Sequence, residues 1–224
     1  FSCAVPGCWH VMGVTQAAGL SLRWFRDNLA ESYKDKAVRL GVDSYDLINE
    51  DVAKVPIGSR RLIYLPYLMG ERTPHLNPNC RGVFFGLSAI HTKADMLRAV
   101  MEGVSYSLLD CFDILREMKI NVKEMMACGG GGKSRIWRQM LADMYGCEVK
   151  TIKAQEGPAL GVAILAGVGA GIFPDVQTAC KEFIEQDTWC QPDAAAHAYY
   201  EKGHALYQKL YRQLKDCYED LAAL

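Results

Sequence analysis

The 224-residue sequence has no run of 18 apolar residues, so no segment reads as a membrane-spanning helix. Neither sign of charge is in excess. Twenty-five Lys and Arg against 26 Asp and Glu leave a net charge of −1, which removes the basic footprint expected of a nucleic-acid binder. The first residues do not read as a signal peptide, so none is expected, and no linker rich in Gly, Ser and Pro divides the sequence. There is no C-x-x-C, and no cysteine stands at zinc spacing from a histidine. The nine cysteines are odd in number, and several lie in apolar stretches. They read as reduced thiols packed as small hydrophobes, which by the compartment rule makes a cytoplasmic protein the expectation. The chain does not begin with methionine, and its first residues read as ordered interior. A fragment of a longer protein is therefore expected.

About half the residues are hydrophobic, enough to fill one core. Residues 8–15, CWHVMGVT, read as a strand entering a helix over 16–29, with Ala18, Leu22, Phe25 and Leu29 on one face. A short helix follows, capped by Asp43 or Ser44. Residues 61–68 read as a buried strand. Residues 69–82 read as a loop, because Gly70, Pro74, Pro78 and Gly82 forbid regular structure. After a short strand at 83–87, Thr92 and Asp95 have capping-box spacing at the head of a long helix. A strand at 122–128 then meets four glycines. A helix ending at Gly146, a strand at 147–152, a helix with Pro158 in its first turn, and helices opened by Asp175 and Asp193 complete the chain. Strands alternating with helices mean an α/β fold.

The strongest candidate site is Gly129, Gly130, Gly131 and Gly132, followed by Lys133, Ser134 and Arg135. A strand that ends in glycines and hands over to a helix lets a ligand approach backbone closely. The helix adds unpaired N–H groups and a positive dipole end. This suits a nucleotide. The run satisfies neither the Walker A pattern nor G-x-G-x-x-G. A plain strand-to-helix turn asks for one glycine, not four. Elsewhere, Gly86 after two phenylalanines reads equally as a strand bend or as a surface for a flat ring. Glu71, Arg72, His75 and Arg81 sit on the proline-stiffened loop, split evenly between function and surface. Glu102 reads as lying on the polar edge of the long helix, and Asp143 as structural. The tyrosines and leucines of the last helix read as core packing.

Together these segments resemble the FGGY carbohydrate kinase family. Gly82, Phe84, Gly86 and Leu87, then Asp95 and Met96, then Ala99, Val100, Met101 and Glu102 follow its second signature. GGGGKSRIWRQMLAD resembles the family's adenosine motif and helix, and EGPALGVAILAG the helix that follows. YLPYLMGERTPHLNP is most similar to the xylulokinase branch. The resemblance implies a ribonuclease-H-like lobe of the actin-like ATPase superfamily, a mixed sheet with helices on both faces. Residues 1–224 would form the C-terminal nucleotide-binding domain of a two-lobe sugar kinase. ATP would sit between the lobes with magnesium. Gly130, Gly131 and Gly132 would border the adenosine, with Ser134 capping the helix beside the pocket, Arg135 facing it, and Gly86 lining the adenine or phosphate side.

The resemblance also implies a small sugar as phosphoryl acceptor, D-xylulose foremost, with gluconate, ribulose, fuculose or another polyol open. It further implies a homodimer through this half. The catalytic aspartate, the sugar contacts and the phosphate loop belong to earlier sequence in that family, so this chain alone is expected to be inactive. Two rival readings stand beside it. One is a non-catalytic lobe serving dimerisation or regulation. The other is a dinucleotide fold, with Glu148 or Glu156 as the ribose acid.

Overall fold

A computed structural model describes residues 1–153 and 157–224. Helices α1 (Ala18–Leu29), α2 (Ser32–Leu40) and α3 (Ser44–Val52) come first. Strands β1 (Ile63–Leu65) and β2 (Val83–Phe85) precede the long α4 (Lys93–Glu117). Then follow β3 (Glu124–Met126), α5 (Gly129–Lys133), α6 (Arg135–Tyr145) and β4 (Glu148–Ile152). The chain ends with α7 (Gly157–Gly169), α8 (Val176–Phe183), β5 (Gln186–Cys190) and α9 (Ala194–Ala222). None of the described helices is long and apolar enough to cross a membrane.

Helix α4 is the axis of the core. Its start is fixed by the reciprocal cap read from the sequence: the Asp95 amide donates to Thr92 Oγ1, and Asp95 Oδ2 accepts from the Thr92 amide at 2.8 Å. From Leu97 to Ser107 every residue is buried, so the helix is enclosed on all sides. One side packs on α1, α3 and β1 through Phe25, Ile48, Leu62 and Met101. The other packs on α6 and α9 through Tyr106, Phe112, Tyr145, Tyr200 and Tyr207. The contact with β1 is close: any Cβ at Gly103 would overlap the Tyr64 carbonyl.

Two small sheets result. β1 and β2 pair antiparallel, Tyr64 opposite Phe84. The second sheet has the order β3-β4-β5 and is mixed: β3 lies parallel to β4, and β5 antiparallel. Helix α6 packs against it around Ala142, Val149 and Cys190. On the opposite face Lys150 lies between Glu124 and Glu148, at 2.6 and 3.1 Å.

Several sequence expectations need correction. Residues 8–15 form no strand, and the first residues are not interior: Trp9 is 77% exposed and bonded only through an isolated bridge to Ser2. The donors of the segment that follows meet the 69–82 loop instead of a ladder. The Val14 amide donates to Thr73 Oγ1 at 3.1 Å and the Gln16 amide to Glu71 Oε1 at 2.9 Å. The strand at 61–68 shrinks to three residues, because Pro66 has no amide to continue the ladder. β5 was not anticipated from QDTWC, whose polar residues suit an edge strand. Glu102 is not on a polar edge; it is buried, 2.8 Å from Arg98 Nε. The caps foreseen at Asp43, Asp175 and Asp193, and the left-handed stop at Gly146, are all present. All nine cysteines are free thiols.

Candidate functional site

The four glycines do not form an open loop. Gly129 alone has a positive φ, +70°, and it turns the chain out of β3. Gly130 to Lys133 then wind a single helical turn, α5. Ser134 breaks this turn and starts α6. Its hydroxyl accepts the Trp137 amide at 3.2 Å and donates to Asn49 Oδ1 at 2.8 Å, tying the cap to α3. Arg138, one turn further on, donates through Nη1 to the carbonyls of Gly132 and Lys133. The turn is thus held from its carbonyl side by a buried guanidinium.

Each glycine can now be asked why it is a glycine. Gly129 is required by its dihedral. Gly132 is required by packing, since a Cβ there would lie 2.8 Å from the Ala127 carbonyl oxygen. Gly130 and Gly131 are required by neither. A Cβ at Gly130 meets nothing within 4 Å, and one at Gly131 makes only ordinary contact, 3.6 Å from the Trp137 ring. The two glycines that the fold does not need are also the two that line the cleft beside α1 and α3.

One cleft, of about 350 Å³, lies between α1, α3 and the turn. Gly19 and Leu22 form one wall, Gly130 and Gly131 the other, and Asn49 and Ser134 the polar end. A second, of about 500 Å³, continues from Gly19 and the same glycines over an apolar floor of Val104, Leu108 and Met125. A site with apolar walls and a few convergent polar groups is what a flat, polar-edged ligand requires. A third cavity, also about 350 Å³, lies behind the turn and holds Cys128, Lys133 and Arg138.

Of the residues singled out from sequence, Gly130, Gly131 and Ser134 come together on the first cleft. Gly132 lines the second and third cavities. Arg135 is exposed at the start of α6, and Gly86 packs at the end of β2 against the Arg61 carbonyl; neither lines any of these three cavities. Gly19, Tyr45 and Asn49 were missed. Their elements were visible in the sequence, but nothing local said that α1 and α3 would converge on the turn. The dinucleotide reading fails on Glu148. It pairs with Glu124, at the end of β3 away from the glycines, and its carboxylate is engaged by Lys150 and Gln191. Glu156 lies outside the described residues.

The loop at 69–82 has become structural. Glu71 is buried, accepting from the amides of Gln16 and Arg72 and from the Ser107 hydroxyl. His75 stacks flat on Tyr211, centroids 3.3 Å apart. Burial raises the Glu71 carboxyl and lowers the His75 imidazolium from their ordinary values, each disfavouring charge in an apolar setting.

Comparison with known proteins gives this geometry a family. Residues 2–170 match the model of the FGGY family of carbohydrate kinases, C-terminal domain. The chain is 38% identical over 224 residues to a xylulose kinase of Staphylococcus epidermidis, covering all of this chain and 43% of that protein. It is 42% identical over 164 residues to a gluconokinase of Bacillus subtilis, covering 73% of this chain and 32% of the other. Among solved structures, xylulose kinase from Lactobacillus acidophilus superposes with a TM-score of 0.78 at 30% identity, over 92% of this chain and 40% of that one. The chain therefore spans less than half the length of the proteins it matches. It carries their actin-like ATPase fold and belongs to the FGGY family of carbohydrate kinases, matching that family's C-terminal domain.

Proposed function

We propose that this chain is the nucleotide-binding half of a two-lobe sugar kinase. It would hold the adenosine of Mg·ATP in the cleft between α1, α3 and the glycine turn. The observation that carries this reading is the pair Gly130 and Gly131: the fold requires neither, and both open onto that cleft. The backbone of α5 approaches the ligand there without side chains in the way. Asn49 and the Ser134 hydroxyl supply polar contacts, and Leu22 an apolar wall. The chain's part in catalysis is then positioning, which in phosphoryl transfer is most of what a protein contributes. Magnesium, bound with the nucleotide, neutralises phosphate charge.

The acceptor is a small sugar. D-xylulose is the favoured substrate, because xylulose kinases match over the full chain; gluconate is the alternative, given the Bacillus gluconokinase. The catalytic base, the sugar contacts and the phosphate loop are assigned to the portion of the relatives outside the match. The 224-residue chain is accordingly expected to bind nucleotide without transferring phosphate.

The test is calorimetric titration with Mg·ATP and Mg·ADP, with Gly131→Asp alongside. A Cβ there makes only ordinary contact with Trp137, so the variant is expected to fold, with its carboxylate on the cleft that Gly131 lines. Saturable binding in the wild type, weakened at least tenfold in the variant, is expected. Equal binding by both would remove the nucleotide from this turn.

A further inference from the structure

The cysteines fall into two chemical classes. Cys80, Cys111, Cys147 and Cys190 are buried. Burial pushes the Cys80 thiol up to about 12 and the Cys111 thiol up to about 11. A thiol held in its protonated form is a poor nucleophile. Cys3 and Cys8 are exposed, and the backbone sets them opposite each other.

The first ten residues make a hairpin. Ser2 and Trp9 pair antiparallel. Phe1 and His10 exchange both backbone bonds, each at 2.9 Å. The same register puts Cys3 opposite Cys8, and the Cys3 amide donates to the Cys8 carbonyl at 3.4 Å. The connection is a tight turn from Val5 to Cys8. The Cys8 amide donates to the Val5 carbonyl at 3.1 Å, and Gly7 has a φ of +77°. Proline second and glycine third is the sequence such a turn favours. Residues directly opposite in an antiparallel pair point to the same face, and at a hydrogen-bonded pair their Cα atoms stand about 5.5 Å apart. A disulfide asks for a Cα separation of about 4.4–6.8 Å. The Cys3 thiol also bends over the turn. Its Sγ donates to the Val5 carbonyl at 3.7 Å, the same oxygen that accepts the Cys8 amide.

We propose that Cys3 and Cys8 are a redox modification site, forming a reversible intramolecular disulfide at the expense of a small-molecule disulfide of the glutathione type. One cysteine thiolate attacks the S–S bond of the oxidant and releases one glutathione thiolate. The second cysteine attacks the resulting mixed disulfide and releases the other. Two protein thiols lose two protons and two electrons, and the oxidant leaves as two thiols. An exposed disulfide of this kind is readily reduced again, which fits a chain whose resting cysteines are free.

The experiment equilibrates the chain with glutathione at rising oxidised fraction, blocks the remaining thiols with iodoacetamide and digests with trypsin. Residues 1–23 hold no Lys or Arg before Arg23 and no cysteine besides Cys3 and Cys8, so one peptide reports the pair. Its mass separates a disulfide from two alkylated thiols and from a glutathione adduct. The same series is run in urea, where the two cysteines keep their spacing in sequence but lose the hairpin. An equilibrium constant against glutathione at least tenfold larger in the folded chain than in urea is the expected result. In Cys3→Ser and in Cys8→Ser the remaining thiol should instead hold glutathione as a mixed disulfide. Gly7→Val, whose β-branched side chain resists a positive φ, should move the folded constant toward the urea value. The proposal is overturned if the peptide keeps two alkylatable thiols throughout, or if the folded constant does not exceed the one in urea. It is also overturned if Cys3 or Cys8 is found bridged to any other cysteine in place of its partner.

Discussion

The seam between α4 and α9 and the glycine turn between β3 and α6 are both rich in polar groups, yet they are built in opposite ways. In the seam, polarity is closed around Glu102, although the Tyr207 and Tyr218 hydroxyls elsewhere on α9 are buried without a partner among the described residues. Glu102 accepts from the Gly58 amide, the Ser59 hydroxyl, Arg98 Nε and the Tyr200 hydroxyl, at 2.7–3.0 Å. Arg98 also donates to the Val55 carbonyl at 2.8 Å. Together these contacts hold Gly58 to Arg61, four consecutive residues with positive φ, in a conformation that non-glycine residues rarely adopt. At the turn, polarity is left open. Gly130 and Gly131 of α5 line a cleft, Arg138 Nε has no partner among the described residues, and the two glycines stand where the fold tolerates side chains. A buried network with all its bonds made specifies structure; the turn instead keeps open space beside Gly130 and Gly131 that the proposed nucleotide can fill.

The most forceful way to break this contrast is at Glu102. Removing one member of a buried, hydrogen-bonded ion pair strands the other, which typically destabilises by about 3–5 kcal/mol. Glu102→Ala is expected to lower stability by that order and to release the Gly58–Arg61 turn. Urea denaturation measures it. A loss no larger than that of a surface substitution would show that the seam is not the closed element described here.

Paired glycine substitutions sharpen the comparison. Gly103→Ala places a methyl against the Tyr64 carbonyl and forces α4 away from β1. Overpacking of this kind costs roughly 1–3 kcal/mol, even after the gain in helix propensity. Gly130→Ala places the same methyl in open space, so stability should stay within about 0.5 kcal/mol of wild type while Mg·ADP affinity falls several-fold. Thermal melts and calorimetry on the two proteins read both quantities. Reversed outcomes would exchange the roles assigned to the two regions.

The same contrast explains what could be read from the sequence. Helices α1, α4, α6 and α9 were legible because caps and apolar period are local: Thr92 with Asp95, Gly146 and Asp193 need no tertiary knowledge. The Gly129–Gly132 run was legible as a candidate because four glycines exceed what one turn needs. The split of roles among them was not, since it depends on the Ala127 carbonyl and on open space. Glu102 was misplaced for a similar reason. Its burial is compensated by Ser59, 43 residues earlier, and Tyr200, 98 residues later, and no window of sequence shows both. Residues 8–15 have the apolar content of a strand, but a strand also needs a partner, which periodicity cannot supply.

Glu71 belongs to the closed kind of site but carries an unfavourable charge, and it yields the smallest effect. Burial raises its carboxyl above the ordinary 4.5, despite the Arg72 and Gln16 amides and the Ser107 hydroxyl that oppose the shift. An acid raised in the folded state binds more protons there than when unfolded. Stability therefore falls as pH climbs from 4.5 through the raised value, and the penalty is complete above it. Glu71→Gln removes that titration while keeping the geometry. Both amides donate to Oε1, which glutamine retains, and its NH₂ can donate to the Ser107 hydroxyl that now donates to Oε2. The variant should lie within about 1 kcal/mol of wild type at pH 7, on the more stable side. This advantage should shrink as pH is lowered and vanish below 4.5. The flattening will be partial, because burial also raises Asp143. Denaturation midpoints from pH 4 to pH 8 decide it. A variant less stable at pH 7 than at pH 4, relative to wild type, would mean that the three hydrogen bonds to Glu71 outweigh its burial and that the carboxylate is its stable form.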